Sequence, residues 1–250
     1  MRRSFALVTA RSTSSRLPRK ALCSLADGVT TIQVVLRRAR LVGCPVLLAT
    51  TDDTTDDELA ALAMEEGFGC FRGALKNKIR RWKDCFEANG IDEALLVDGD
   101  DPTFDYRVGA RALDLLREGA DLVVSPPDMI AGYFTYGLSR NGIETLADLA
   151  PDREAEMDVI TEVLKRSGLE AVPVPALPEE TGPQDVRLTI DYPEDLDFYR
   201  ELYSRVDYLA TSPEIVMTAR AAGLQGINWH RQQDYLDNQE RLNAKVRAET

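Results

Sequence analysis

The stretch that decides the fold is residues 5–20, which read F-A-L-V-T-A-R-S-T-S-S-R-L-P-R-K. Its first five residues form an apolar run typical of a buried strand. The following eleven, residues 10–20, carry four positive charges and four hydroxyl groups; we call them the basic loop. Backbone N–H groups and hydroxyls can donate to phosphate oxygens while the cations neutralise their charge. The loop therefore suits a polyphosphate, although a solvated basic loop is an equal alternative on composition alone.

The basic loop is not a Walker A sequence, because it lacks the G-x-x-x-x-G-K-[ST] spacing. Its candidate phosphate-binding residues are instead scattered cations and hydroxyls. Arg11, Arg16 and Lys20 would neutralise a triphosphate, and Ser14 and Ser15 would donate hydrogen bonds to it. Solvent exposure of the same side chains is the alternative.

The rest of the chain alternates between apolar strand-like runs and amphipathic helix-like segments. We expect strands at residues 4–9, 45–50, 70–71, 94–97, 121–125 and 187–190, and helices at residues 30–41, 56–66, 75–89, 106–118, 153–166, 194–203 and 212–222. This order predicts an α/β, Rossmann-like fold with a mostly parallel sheet and helices on both faces. Such sheets bind ligands at the carboxyl ends of their strands, where the basic loop and Thr50 are expected to lie.

The predicted domain is residues 1–210, and within it residues 126–183 follow a less regular pattern. We expect this small insertion to bind an acceptor or to form a dimer contact, because it carries three aromatic residues that we expect to be exposed: Tyr133, Phe134 and Tyr136. Residues 211–250 would form a helical C-terminal extension whose polar end, residues 229–248, is a surface helix or tail. The single histidine, His230, lies in that end and reads as a surface or packing residue.

Acidic turns follow two of the predicted strands. Asp98, Asp100 and Asp101 come after one strand, and Asp191 follows the strand at residues 187–190. Because Mg²⁺ takes one or two protein carboxylates together with substrate phosphates and water, Asp100 and Asp191 could form a metal pair. The residues alone also allow plain turn formation before Pro102 and a helix cap at Asp191.

Three stretches, in order, resemble the cytidylyltransferases that make CMP-activated sugars. The basic loop resembles the R-x-x-S-x-R-L-P-G-K signature of the CMP-Kdo and CMP-sialic acid synthetases and of the spore coat polysaccharide protein F group. Residues 97–102, V-D-G-D-D-P, resemble the G-D-x-P turn of that last group. Residues 188–196, L-T-I-D-Y-P-E-D-L, resemble its T-V-D-x-P-E-D-L turn.

The resemblance implies a nucleotidyltransferase fold of the GT-A type that transfers CMP from CTP to an acidic sugar or a related phosphate or phosphonate acceptor, releasing pyrophosphate. It implies a Mg²⁺ cofactor on Asp100 and Asp191, a role in cell-surface polysaccharide biosynthesis, and a homodimer. It assigns catalysis to Arg11, Lys20 and Asp100. It assigns nucleotide binding to Ala10, Arg11, Ser14, Ser15, Arg16, Lys20, Thr50, Arg72 and Asp98.

The chain departs from the family pattern at three places. Arg19 replaces the glycine that usually follows Leu-Pro, residues 76–78 read K-N-K where acidic residues are usual, and residues 156–159 read E-M-D-V in place of E-H-V-T. A glycine lets the backbone approach phosphate closely, so Arg19 would distort that approach or add a charge. These departures leave two alternatives open, a nucleotide-sugar-binding protein without turnover and a glycosyltransferase that uses residues 98–100 as a D-x-D motif.

Composition limits the partners and the location. The formal net charge is -12 with a pI near 4.7, which argues against nucleic acid because its phosphates need a basic surface. The four cysteines are far apart with no C-x-x-C, so we expect neither zinc nor a disulfide framework. No apolar run approaches the ~20 residues of a membrane span. We therefore expect a cytoplasmic protein with no membrane partner.

Overall fold

The computed structural model describes residues 2–14, 16–157 and 159–249. Its strands are β1 (Ser4–Thr9), β2 (Ser24–Ala26), β3 (Val29–Thr30), β4 (Val46–Thr51), β5 (Gly69–Gly73), β6 (Glu93–Asp98), β7 (Leu122–Val124), β8 (Tyr136–Ser139) and β9 (Ala171–Pro173). Its α-helices are α1 (Thr31–Arg40), α2 (Asp57–Glu65), α3 (Lys78–Asn89), α4 (Tyr106–Arg117), α5 (Arg140–Leu149), α6 (Thr161–Arg166), α7 (Pro193–Tyr203), α8 (Ser212–Ala221), α9 (Gln225–Asn228) and α10 (Gln232–Glu249).

A seven-stranded sheet organises the chain in the order β5-β4-β1-β6-β8-β7-β9. Strand β8 is antiparallel to both of its neighbours, β6 and β7, and the other strands all run in one direction. A separate two-stranded hairpin, β2 with β3, follows the basic loop. The mostly parallel sheet predicted from the alternation of strands and helices is confirmed.

Helices cover both faces of this sheet. Successive side chains of a strand point to opposite faces, and β1 shows the consequence: Ala6 and Val8 pack in one buried cluster, and Leu7 packs in the other. The first cluster is completed by residues of α1, α2, α4, α7 and α8, and the second by residues of α3, α5 and α6. Each face is therefore buried, which explains why the central strands read as continuous apolar runs.

Local sequence signals set several helix starts. Thr30 and Gln33 form a capping box at the start of α1, which satisfies backbone N–H groups that have no partner within the helix. Asn77 caps α3, so this helix begins at residue 78 rather than at the predicted residue 75. Pro193 stands in the first turn of α7, where its missing N–H costs nothing.

The predicted strand at residues 187–190 is wrong. Val186, Leu188 and Ile190 are buried, so the segment shows the alternation of a strand. Its backbone groups, however, bond to loops and side chains: the Ile190 N–H donates to the Asp100 carbonyl at 2.9 Å, and the Leu188 carbonyl accepts from the Tyr199 hydroxyl at 2.7 Å. Burial without a neighbouring ladder strand explains the misleading pattern.

The region from residue 126 to residue 183 is more ordered than its sequence indicated. It contains β8, α5, α6 and β9, and both of these strands join the main sheet. Among the described residues of the helix predicted at residues 153–166, only Thr161–Arg166 are helical. Tyr133 and Phe134 are buried in the first core cluster. Their predicted exposure is wrong, because both side chains belong to the buried cluster that also contains Val186 and Leu188.

Candidate active site

Two turns meet at the carboxyl edge of the sheet. Thr9 of β1 and Asp98 of β6 are aligned partners in adjacent parallel strands, and the Gly99 N–H donates to the Thr9 carbonyl at 2.8 Å. A Cβ on Gly99 would lie 2.8 Å from the Ala10 Cβ and 2.8 Å from the Thr9 oxygen. Glycine is therefore required where the acidic turn passes the start of the basic loop.

Lys20 brings the two predicted metal carboxylates together. Its Nζ donates to Asp100 Oδ2 at 2.5 Å, to Asp191 Oδ1 at 2.9 Å and to the Ile190 carbonyl at 2.7 Å. The hydrogen bond from the Ile190 N–H to Asp100 holds the two segments side by side. Asp100 and Asp191, 91 positions apart in the sequence, thus converge on the Lys20 ammonium.

The cations and carboxylates of this cluster neutralise each other through direct hydrogen bonds. The Arg16 guanidinium also donates to Asp191 Oδ1. Burial alone would raise the pKa of Asp191, but the Lys20 and Arg16 charges outweigh it and hold that pKa well below its ordinary value. Burial alone would lower the pKa of Lys20, but Asp100 and Asp191 more than offset this effect and raise it. Both groups are therefore charged at neutral pH.

A buried network fixes the position of Asp191 from the side opposite Lys20. The Arg187 side chain is 1% exposed and donates to Asp191 Oδ2 at 2.9 Å and to Asp195 Oδ1 at 2.9 Å. Asp195 Oδ2 accepts from the Asp191 N–H at 2.8 Å and from the Tyr192 N–H at 2.9 Å. The Asn228 amide completes the shell of Asp195 at 3.0 Å. Because both of its carboxylate oxygens are bonded, Asp191 has little freedom to turn.

Asp56 anchors the basic loop to the end of β4. It is fully buried and accepts from the Ser12 N–H at 2.6 Å, from Thr50 Oγ1 at 3.0 Å and from Thr51 Oγ1 at 2.5 Å. Thr50 was predicted to bind nucleotide. The structure instead directs its hydroxyl to Asp56 and buries it completely, so Thr50 supports the loop and does not line the site.

Arg72 also lies outside the site that the sequence predicted for it. Its guanidinium donates to the Thr51 carbonyl at 2.8 Å, to the Asp53 carbonyl at 2.6 Å and to Asp57 Oδ1 at 2.6 Å. These bonds tie the end of β5 to the start of α2. The side chain is committed to this junction because β5 is the edge strand, two strands away from β1.

Arg19, the most conspicuous departure from the family pattern, keeps the backbone shape that glycine favours. Its φ of 59° and ψ of 22° lie in the left-handed region, and its N–H closes the loop on the Ser12 carbonyl at 3.0 Å. The side chain turns outward to Glu58, and both partners are more than half exposed. The substitution therefore costs some backbone strain but places no side chain in the site.

The basic loop and the acidic turns line one cavity of about 720 Å³. Of the predicted site residues, the structure brings Ala10, Arg11, Ser14, Arg16, Lys20, Asp98, Asp100 and Asp191 to its wall. Ser15 lies outside the described residues. The other walls come from residues 125–136, the start of α6 at Thr161, the segment at residues 184–191 and one side of α10. The volume suits a nucleotide together with a second small molecule.

The three carboxylates of the acidic turn, Asp98, Asp100 and Asp101, differ in their electrostatic surroundings. Burial raises the pKa of Asp98, and the Lys78 ammonium, 3.9 Å away, partly offsets that effect. Burial and the Asp100 and Asp98 charges raise the pKa of Asp101 well above its ordinary value. Of the three, Asp100 alone receives the Lys20 ammonium at 2.5 Å. The geometry therefore singles out Asp100 as the carboxylate paired with Asp191.

The same geometry tests whether a divalent metal fits. Within the described part of the chain, no group of three or more His, Cys, Asp and Glu side chains could hold a metal on its own. Two carboxylate oxygens that already converge on one ammonium do match the one or two carboxylates that Mg²⁺ takes when phosphates and water complete its shell. Asp100 and Asp191 thus fit a metal that arrives with a nucleotide.

Sequence reasoning missed several residues of the site. Asp195 stands in the P-E-D-L turn, and Arg187 lies four positions before Asp191; both could have been suspected as supports for that carboxylate. Lys78 appeared only as a departure from the family pattern, yet its ammonium faces Asp98. Nothing in the sequence indicated that Gln232 and Tyr235 of α10 would line the cavity.

Comparisons with known proteins agree with this geometry. The chain is 26% identical over 215 residues to the spore coat polysaccharide biosynthesis protein SpsF of Bacillus subtilis strain 168, which covers 80% of this chain and 85% of that protein. The fold matches a cytidylyltransferase from Leptospira borgpetersenii serovar Hardjo-bovis with a TM-score of 0.78 at 19% identity, covering 90% of this chain and 97% of that one. It also matches a CMP:2-keto-3-deoxy-manno-octonic acid synthetase complexed with CTP, with a TM-score of 0.61 at 20% identity, covering 81% of this chain and 99% of that one.

The model of one protein family extends over the part of the chain that contains the basic loop and the acidic turn. The family is described as cytidylyltransferase, and its model matches residues 5–161, well over half of the sequence. The sequence resemblance to the enzymes that make CMP-activated sugars is confirmed. This chain is a nucleotidyltransferase that belongs to the cytidylyltransferase family.

Proposed function

We propose that the chain is a Mg²⁺-dependent cytidylyltransferase that transfers CMP from CTP to a hydroxyl or phosphate oxygen of a small acceptor. The observation that carries the proposal is the meeting of Lys20, Asp100 and Asp191 at one point of the cavity lined by the basic loop. The acceptor oxygen would form a bond to the α-phosphorus of CTP as the bond to pyrophosphate breaks. The acceptor proton would leave to water or a carboxylate, so no covalent enzyme intermediate is needed.

The basic loop would bind and stabilise the leaving pyrophosphate. Arg11, Arg16 and Lys20 line the cavity beside the Ser14 hydroxyl, and charge-assisted hydrogen bonds from such groups strengthen as negative charge develops on the leaving oxygens. Asp56 contributes by fixing the Ser12 end of the loop. Asp100 and Asp191 would hold the Mg²⁺, which when bound neutralises charge on the phosphate oxygens. Ala10, whose neighbour Gly99 allows close backbone contact, and Asp98 would border the nucleotide.

The acceptor is proposed to be an acidic sugar or a related phosphorylated or phosphonate compound, destined for cell-surface polysaccharide. Lys78 supports this assignment because it lines the cavity, with its ammonium 3.9 Å from Asp98. It replaces the acidic pattern usual in the family, so the acceptor of this chain would meet more positive charge there. Residues 126–183, which supply Thr135 and Thr161 to the cavity wall, would form part of the acceptor site.

The domain arrangement and location follow the same proposal. Residues 1–210 would form the catalytic domain and residues 211–250 an extension. We infer a homodimer that uses residues 126–183 or the C-terminal extension; since Tyr133 and Phe134 are buried, exposed Met217 and Leu236 of the extension are better contacts. Light scattering that shows only monomer at high concentration would contradict this.

The cysteines are free, which supports a cytoplasmic location. Within the described residues, no helix has the length and apolarity to cross a bilayer.

Pyrophosphate release is the test. The parent chain is incubated with CTP, MgCl₂ and a panel of acidic sugars and phosphorylated acceptors, and Asp100→Asn and Asp191→Asn are compared with it. Both variants should lose most turnover and change their dependence on Mg²⁺ concentration. Asp197→Asn, an exposed change on α7, is the matched control and should behave as the parent.

Two alternatives give different results in the same assay. If the aspartates are only turn formers, Asp98→Asn and Asp101→Asn should cost as much turnover as Asp100→Asn. If the chain binds nucleotides without turnover, CTP should bind but release no pyrophosphate with any acceptor. Parental activity and Mg²⁺ dependence in both Asp100→Asn and Asp191→Asn would show that the metal-centred mechanism is wrong.

A further inference from the structure

The C-terminal helix α10 lines the cavity and makes contacts near both of its ends. At its start, Gln232 accepts a hydrogen bond from Arg187 at 3.3 Å, and the Tyr235 ring stacks on the same guanidinium at 4.8 Å. Near its end, Val246 is 1% exposed within the cluster that contains Ile160 and Val163. The helix therefore connects the Asp191 side of the cavity to the α6 side.

One face of α10 points into the cavity. The inner stripe consists of Gln232, Tyr235, Gln239 and Leu242, which all line the cavity wall. Their spacings of three, four and three residues place them on one side of a helix. Between them, Gln233, Leu236, Asp237 and Glu240 are exposed. The inward orientation is thus a property of the whole helix and not of one side chain.

The chemistry of this inner face differs from that of the basic loop. The polar groups of the inner stripe are amides and one phenol, which both donate and accept hydrogen bonds. One cation of α10 also lines the cavity: Arg241, which is exposed and whose guanidinium donates to Asn238 Oδ1 at 2.7 Å. Asn238 also lines the cavity, and its Nδ2 is buried without a hydrogen-bond partner among the described residues. Neutral groups that can donate and accept are the usual partners of sugar hydroxyls, whereas a phosphate would be better served by cations.

The geometry of phosphoryl transfer places the acceptor away from the basic loop. The attacking and leaving oxygens must lie roughly in line through the phosphorus. If the basic loop holds the leaving pyrophosphate, the acceptor has to occupy space beyond Asp100 and Asp191. Tyr235 is on the Arg187 side of Asp191: its ring stacks on the guanidinium that bonds Asp191 Oδ2 at 2.9 Å, whereas Lys20 and Arg16 of the basic loop bond Oδ1.

We propose that the inner stripe of α10, together with Asn238, forms the hydroxyl-recognising wall of the acceptor site and determines which sugar is accepted. This inference rests on the proposed cytidylyl transfer. It adds the acceptor class, a polyhydroxylated molecule, and names α10 as the element that recognises it. Helix α10 lies beyond residues 5–161, the segment matched by the family model. The recognition element is therefore separate from the nucleotide-binding segment.

The experiment compares inner and outer positions of the same helix. Gln239→Leu, Asn238→Leu and Tyr235→Phe are the test variants, and Gln233→Leu on the exposed face is the matched control. Tyr235→Phe removes the hydroxyl but keeps the ring on Arg187. For each protein, CTP affinity is measured by calorimetry with CaCl₂. The KM for each sugar of the panel is measured by pyrophosphate release, and exchange of α10 amide hydrogens is followed with CTP alone and with CTP plus each sugar.

The expected result is a split between the two substrates. Each inner variant should keep CTP affinity within about twofold and raise the KM of the accepted sugar by about two- to tenfold, the range of one neutral hydrogen bond. The accepted sugar, added to CTP, should further slow amide exchange in α10 of the parent. Gln233→Leu should match the parent in every measurement.

Other outcomes separate the two proposals. If the parent does not bind CTP, the proposed function fails, and this inference fails with it. If CTP binds but no sugar of the panel is turned over or slows exchange in α10, the hydroxyl-recognising wall is wrong while nucleotide binding stands. An unchanged sugar KM in all three inner variants, or a loss of CTP affinity equal to the loss for the sugar, would also overturn the assignment.

Discussion

Replacing Lys20 with methionine should destabilise the free protein and make its stability depend on Mg²⁺. The Lys20 ammonium contacts three acceptors between 2.5 and 2.9 Å, and its side chain is 13% exposed. Asp191 would still keep Arg16 and Arg187, so the loss falls mainly on Asp100 and the Ile190 carbonyl. A charged hydrogen bond contributes about 1.5–3 kcal/mol, and Asp100 is 27% exposed, so water offsets part of this.

We therefore expect Lys20→Met to cost about 2 kcal/mol of unfolding free energy, below the ~3–5 kcal/mol of a fully buried pair. For a chain of this size, that is a fall in Tm of roughly 4–8 °C. Mg²⁺ should then raise the Tm of the variant more than that of the parent, because the ion no longer competes with the ammonium for the two carboxylates. Saturation to about 100 times its Kd would restore ~2.7 kcal/mol.

The assay is thermal unfolding with and without MgCl₂, and Lys83→Met is the control. Lys83 pairs with Glu87 at 2.6 Å on the surface of α3, where such a pair contributes little. An unchanged Tm in Lys20→Met, or a Mg²⁺ response no larger than that of the parent, would refute the reasoning that one ammonium holds the metal carboxylates together.

Three further results are expected. Arg16→Ala should weaken CTP binding by at least ~1.5 kcal/mol in calorimetry because it removes a charged hydrogen bond. Arg19→Ala changes an outward side chain and should leave CTP affinity unchanged, so equal affinities of the two variants would contradict the loop assignment. Asp101→Asn should stabilise the protein at pH 7, since the folded state raises the pKa of this carboxyl. In urea titrations, this gain in unfolding free energy should fade as the pH falls toward the ordinary Asp pKa of about 4, and a gain independent of pH would argue against it. Asp56→Ala should cost at least ~2 kcal/mol in urea unfolding because it leaves four buried donors without this acceptor. A near-parental midpoint would show that the basic loop is anchored otherwise.

The pH dependence of Asp191 follows the same physical rule with the opposite sign. Its pKa is held below the ordinary value once the two cations outweigh burial. Its contribution to stability is therefore complete above about pH 4 and is lost as pH falls toward the lowered pKa. In Lys20→Met the pKa should move upward, so that acid unfolding begins at a higher pH than in the parent.

The parts of the fold that sequence predicted well are those in which burial and backbone pairing coincide. Strand β1 is flanked by β4 and β6, so its apolar run reports a real ladder. At residues 187–190, an equally apolar alternation arises from burial alone, while the backbone bonds to Asp100, Tyr199 and Lys20. Hydrophobic periodicity measures burial and does not show where backbone hydrogen bonds go.

The residues predicted for the candidate site also fall into two groups, those that line the cavity and those that do not. Motif matches predicted Arg16, Lys20, Asp100 and Asp191, and all four line the cavity. The basic loop and the acidic turn follow adjacent parallel strands and so share one edge of the sheet. Asp191 has no strand before it and is held beside them by the hydrogen bond from the Ile190 N–H to the Asp100 carbonyl. Thr50 and Arg72 satisfied the same positional argument, but their hydrogen bonds go to Asp56 and to the β5–α2 junction. Position along a strand predicts the edge at which a side chain lies, but the partner it finds there depends on neighbours that are distant in sequence.

The distance in sequence between the partners of this site has a kinetic consequence. Arg16 bonds to Asp191 across 175 positions and Lys20 to Asp191 across 171. The cavity wall formed by α10 comes still later in the sequence. Contacts that span so much chain form late, because the loop entropy must be lost before they can stabilise anything. Nucleotide binding should therefore return after the sheet during refolding, which would make CTP a reporter of the last step of folding.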